Sequence, residues 1–141
     1  MFIIMETDRL KRYNEKLELI NERKSEIKDW SDDFFEDKKS MLASYKAFQE
    51  VVESATDILA MMLKDEGLIP ADDYTNIERA EGKKLIDKKM AEQLKEANGL
   101  RNRVIHEYNG LNNQIAHESM IEFLPVFENF VEKVEQWLQK K

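Results

Sequence analysis

A chain of 141 residues is sized for a single domain, here 1–141. With 36% charged residues, four Gly and two Pro, it suits long helices with wet, ion-laced faces better than a turn-rich β fold. Without cysteine it has no disulfide framework, Cys-based zinc site or thiol nucleophile, and a net charge of −7 argues against a general nucleic-acid-coating protein. The first helical pattern steps by three and four through Leu10, Tyr13, Leu17, Ile20, Lys24 and Ile27. It predicts a helix over about Thr7–Trp30 with Thr7 as N-cap, its apolar seam interrupted at Lys24. Tyr45, Phe48, Val52, Ala55, Leu59 and Met62 give a cleaner stripe, on a helix from about Asp37 to Glu66 stopped by Gly67 and Pro70. A short third helix spans Asp72–Glu81 and ends near Gly82. A fourth runs over Asp87–Tyr108, with Met90, Leu94, Ala97, Val104, Ile105 and Tyr108 on one stripe and Asn109-Gly110 as its stop. The last, about Asn112–Leu138, carries Ile115, Met120, Phe123, Phe127, Phe130, Val134 and Trp137, and Pro125 inside it should kink or split it. The expected fold is all-α, an antiparallel bundle of four to five helices. The start, MFIIMETDRL, is too short in apolar residues for a signal peptide, and no stretch reaches membrane-span length. The expected location is cytoplasmic, with no membrane partner.

Charge is unevenly placed. Lys83–Arg103 holds seven bases and three acids, a local +4 that leaves −11 for the rest. This segment, which includes Lys95 and Arg103, leads into the stretch Arg101–Tyr108, RNRVIHEY. At the helical 100° per residue, Arg101 falls within about 60° of Met90, Leu94, Ala97, Val104, Ile105 and Tyr108. It therefore lies inside the apolar stripe, where a guanidinium is costly unless an anion or carboxylate meets it. His106 points about 140° away from it. Asn102, four residues before His106, is close enough to orient its ring, and Gly99 leaves room on that side for a ligand or another backbone. One straight helix cannot easily aim Arg101 and His106 at one point. Two symmetry-related copies could, each contributing part of the set.

RNRVIHEY fits the R-N-x-x-x-H-x-Y form of the R-x4-6-H motif, and from about Met41 to Leu138 the chain resembles the HepT-like toxins of the HEPN superfamily. The resemblance implies a metal-independent endoribonuclease that needs no cofactor and is active as a homodimer with motif helices facing each other. The substrate it implies is RNA, with structured RNA such as tRNA as the natural target. Cleavage by a ribose 2′-hydroxyl needs a proton acceptor working near neutrality and a cation for the phosphorane charge. An imidazole and a guanidinium are the side chains suited to these tasks. The catalytic pair is then Arg101 and His106, with Asn102, Arg103 and Lys95 supporting or binding RNA. The family is also paired, as in type VII toxin–antitoxin systems, with a minimal nucleotidyltransferase antitoxin that adenylylates the motif tyrosine, which is Tyr108 in this chain. The departures are a long, charged first helix and an acidic chain.

A reading from a different class is a catalytically silent helical partner that binds a nucleotidyltransferase. His117, in QIAHES, lacks a matching Arg or Asn and reads as a helix-surface or core-edge residue. There is no Glu-x-x-His for a di-iron bundle, no Gly-rich phosphate loop and no helix-turn-helix reading head.

Overall fold

Four of the five helices open on a side-chain cap. Asp37 accepts from the backbone N–H of Lys39, Asp72 from Thr75, Asp87 from Met90 and Asn112 from Ile115. Each cap satisfies an otherwise orphaned donor and sets where the turn begins. In the computed structural model, which describes residues 5–141, the elements are α1 (Thr7–Trp30), α2 (Lys38–Asp65), α3 (Asp73–Gly82), α4 (Lys88–His106) and α5 (Asn113–Gln139). Short 3-10 turns at Ser31–Asp33 and Tyr108–Gly110 join α1 to α2 and α4 to α5. The apolar start Met1–Ile4 lies outside the described residues.

Some boundaries differ from expectation, for local reasons. The N-cap position of α1 is Glu6, not Thr7, and its side chain makes no cap bond. The Glu6 carbonyl accepts from Leu10 instead, at 3.0 Å. After α2, Gly67 takes the left-handed conformation (φ 84°), which lets Leu68 N–H donate back to the Leu63 carbonyl at 2.8 Å. After α3 the same kind of closure, Leu85 to Ala80, uses Lys84 at φ 61°. The neighbouring Gly82 therefore ends the helix without supplying its left-handed residue. Helix α4 stops at His106, because Glu107 leaves helical geometry (φ −129°, ψ 28°). Helix α5 runs unbroken through Pro125, so the proline does not split it. Met120 before it and Val126 and Phe127 after it are all buried, and this packing on both flanks offsets the missing N–H donor.

Cross-helix contacts give the directions. Arg23–Glu50, Lys16–Asp57 and Arg9–Asp65 run antiparallel along α1 and α2. Tyr13–Trp137 and, just past the end of α1, Ser31–His117 do the same for α1 and α5. The pair α3–α4 is antiparallel through Glu78–Lys95 and Asp73–Arg101. One connected core, including Tyr13, Phe34, Phe48, Phe127 and Phe130, joins the five helices. None of the described helices is long and apolar enough to cross a membrane.

Candidate functional site

The buried face of α4 consists of Ala91, Leu94, Ala97, Asn98, Leu100 and Val104, and Arg101 sits at its centre in angle. Its side chain is only 14% exposed. The charge is met in the way its burial demands. Nη2 donates to Asp73 Oδ2 at 2.9 Å and to Asn98 Oδ1 at 2.8 Å, and Nη1 lies 3.8 Å from Glu53 Oε2. Asp73 comes from the first turn of α3, Glu53 from α2, and Asn98 is three residues back on α4. Nε is buried with no partner. Arg101 lies on the buried stripe, as its helical angle predicts, whereas Asp73 and Glu53 arrive from other helices and share no local spacing with it. Asn98 had a readable signal, its i, i+3 spacing to Arg101.

His106 is the last residue of α4 and is exposed, as are Arg103 and Ile105, the last at 40%. The expected bond from Asn102 to the His106 ring is not among those the described residues make. An imidazole at an exposed helix end has water to bond instead. Lys95 is tied to Glu78 at 3.2 Å. The space at Gly99 is taken by Tyr74, whose hydroxyl would lie 3.6 Å from a Cβ there. Tyr108 is not on the α4 stripe. The helix ends two residues earlier, so its placement beside Arg101 by helical angle does not hold. Its ring meets Tyr45 edge-on, 5.7 Å between centroids. Tyr45 in turn donates to Asn113 Oδ1 at 2.6 Å, and burial, then the neighbouring Tyr108, push its phenol up to about 12. His117 is a core-edge residue, 2.9 Å from Ser31 Oγ and packed on Phe34.

The model of the family described as "Ribonuclease HepT-like" matches residues 11–134. The chain belongs to the HepT-like ribonuclease family. A relative from Archaeoglobus fulgidus, named "Putative RNase", is 37% identical over 135 residues, covering 94% of this chain and 97% of its own. Among solved structures, the HepT-like fold of this chain is similar to a tri-AMPylated Shewanella oneidensis HEPN toxin in complex with an MNT antitoxin. The TM-score is 0.83 at 21% identity, covering 94% of this chain and 99% of the other. A toxin–antitoxin structure with AMP-PNP matches at TM-score 0.82 and 21% identity, with 92% and 99% covered. At those identities the likeness speaks for the five-helix fold. In this HepT-like chain that fold buries the motif arginine and leaves the motif histidine at the surface.

Proposed function

We propose that this HepT-like protein is the endoribonuclease toxin of a pair with a nucleotidyltransferase antitoxin, working as a homodimer and silenced by adenylylation of Tyr108. The observation that carries the reading is the motif pair itself. A cation is held at a fixed place on α4, and an exposed imidazole sits five residues on, at the helix end. In the proposed reaction His106 takes the proton of a ribose 2′-hydroxyl, whose oxygen attacks the adjacent phosphorus. Arg101 stabilises the added negative charge as the bond to the 5′-oxygen breaks. That oxygen takes a proton from water, which leaves a 2′,3′-cyclic phosphate and a 5′-hydroxyl, while the His106 imidazolium returns its proton to solvent. Both tasks fall to protein side chains, so cleavage is expected to persist in chelator. Asn102 and Arg103 lie on the exposed or half-exposed turn between the two and are proposed to hold the RNA backbone. Lys95 contributes only if Glu78 releases it.

Five residues of helix put Arg101 and His106 about 7.5 Å apart along the axis and about 140° apart around it. That divergence supports a site shared between two copies, each giving its Arg to one centre and its His to the other. The test is to express wild type and His106→Ala side by side and map RNA ends and intact protein mass. The expected outcome is cyclic-phosphate ends and slowed growth with wild type alone. For the purified variant we expect a loss in rate of about 10²–10⁴-fold on unfractionated tRNA. Equal toxicity from His106→Ala would overturn the catalytic assignment. In the second reading, a silent partner of a nucleotidyltransferase, the pairing of Arg101 with Asp73 is structural alone. Intact RNA beside tight transferase binding would select it.

A further inference from the structure

A guanidinium has five N–H donors in a fixed plane, one on Nε and two on each terminal nitrogen. In Arg101 those donors are not equivalent. Both N–H groups of Nη2 are spent, one on Asp73 at 2.9 Å and one on Asn98 at 2.8 Å. Nε is sealed from solvent and has no partner. Among the described residues Nη1 makes no hydrogen bond, and it is not one of the buried unpaired atoms, which leaves it in contact with solvent. The nearest carboxylate oxygen to it, on Glu53, is 3.8 Å away, an ion-pair distance and too long for a hydrogen bond.

We infer that Asp73 and Asn98 are positioning residues, which hold Arg101 by its Nη2 corner so that Nη1 is the corner presented to a phosphate. The inference rests on the ribonuclease reading above and adds to it which edge of the cation works and what aims it. Asn98 is 1% exposed and rides on the same helix, so its arm of the clamp is short and rigid. Asp73 belongs to α3, and the seat of α3 therefore sets the pose of the arginine. That seat is well fixed. Asn76, 2% exposed, exchanges two hydrogen bonds with the Ala71 backbone. Ile77 and Ala80 are fully buried, and Tyr74 abuts Gly99 two residues before Arg101. The charge of Asp73 acts against such positioning, because a carboxylate beside the cation also competes with RNA for it. The two effects have opposite signs, so experiment separates them. A positioning group raises turnover, whereas a competitor weakens binding.

The test compares wild type, Asp73→Asn, Asp73→Glu and Arg101→Ala on a transcribed tRNA, with helix content checked by circular dichroism. Asp73 is 38% exposed and asparagine has its shape, so folding is expected to be kept. Clamping predicts that Asp73→Asn lowers kcat by about ten- to a hundred-fold, the scale of a small misplacement of a catalytic group, with KM within about two-fold. Asp73→Glu, which restores the charge, should recover part of the loss. A second readout does not depend on cleavage. In wild type the side-chain NMR spectrum should show Arg101 Nη2 protons that are resolved and slow to rotate, and these should average in Asp73→Asn. If Arg101→Ala is inactive while Asp73→Asn turns over like wild type, or faster, positioning is overturned and the ribonuclease reading stands. If wild type itself leaves the tRNA intact, the ribonuclease reading fails. The NMR comparison then still decides whether Asp73 holds the guanidinium, and equal rotation rates in the two proteins would reject it.

Discussion

Tyr45 and Tyr108 touch edge to face, yet their hydroxyls are in different circumstances. Tyr45 is buried and its hydroxyl is committed to Asn113. Burial raises its phenol to about 12, so both the proton and the oxygen are hard to reach. Tyr108 is half-exposed, at the start of a turn. With a nucleotidyltransferase and ATP, wild type and Tyr45→Phe should therefore each gain the mass of AMP, whereas Tyr108→Phe should not. AMP on Tyr108→Phe would move the modification elsewhere. Single residues differ in how far the sequence discloses them. Arg101 was legible as an oddity because its angle on the apolar stripe follows from spacing alone. Its partner Asp73 is 28 residues away in sequence, and no local period connects α3 to α4. What pairs with a buried charge is a property of tertiary packing, and one sequence does not contain it in readable form.

Helices were legible where period and cap agreed. Asp37, Asp72, Asp87 and Asn112 start their helices within a residue of the expected positions. The end of α4 was not legible, because nothing about Glu107 by type forbids one more helical turn. The interruption of the α1 seam at Lys24 has a structural counterpart. Lys24 lines a groove of about 700 Å³ between α1 and α5, with Ile121, Leu124 and Pro125 across from it. Burial lowers its proton affinity below the ordinary lysine value of 10.5, while Glu128 and Glu132 act in the opposite sense. Because the folded value is the lower one, the unfolded chain binds more protons between the two values. Stability should therefore rise with pH across that alkaline window. Lys24→Met should remove this pH dependence. It should also stabilise by about 1 kcal/mol, roughly 3 °C in Tm, the figure being kept small because the side chain is only half-buried. A lower Tm for Lys24→Met in thermal melts at neutral pH would show that the two glutamates outweigh the desolvation.

For the whole molecule, the shared-site proposal makes a prediction that a self-contained site cannot reproduce. Mixing Arg101→Ala with His106→Ala chains leaves every intrachain pair broken. A mixed dimer with a shared site, however, keeps one intact centre, made of Arg101 from one chain and His106 from the other. Refolding the two inactive proteins together should restore tRNA cleavage to about a quarter of wild type, since half the dimers are mixed and each has one of two sites. Continued inactivity, with dimers present in sedimentation, would confine the site to one chain. The fold class was legible because helix period is a local property. How two copies meet was not, because an apolar face reads the same whether it covers a core or a neighbour. The turn at Tyr108–Gly110 has a mechanical meaning as well. Tyr108 hangs from the joint between two long rods and not from either rod, so a heavy group on its hydroxyl loads a short connector. Chemistry there can change what the surface presents while leaving the register of every helix where it was.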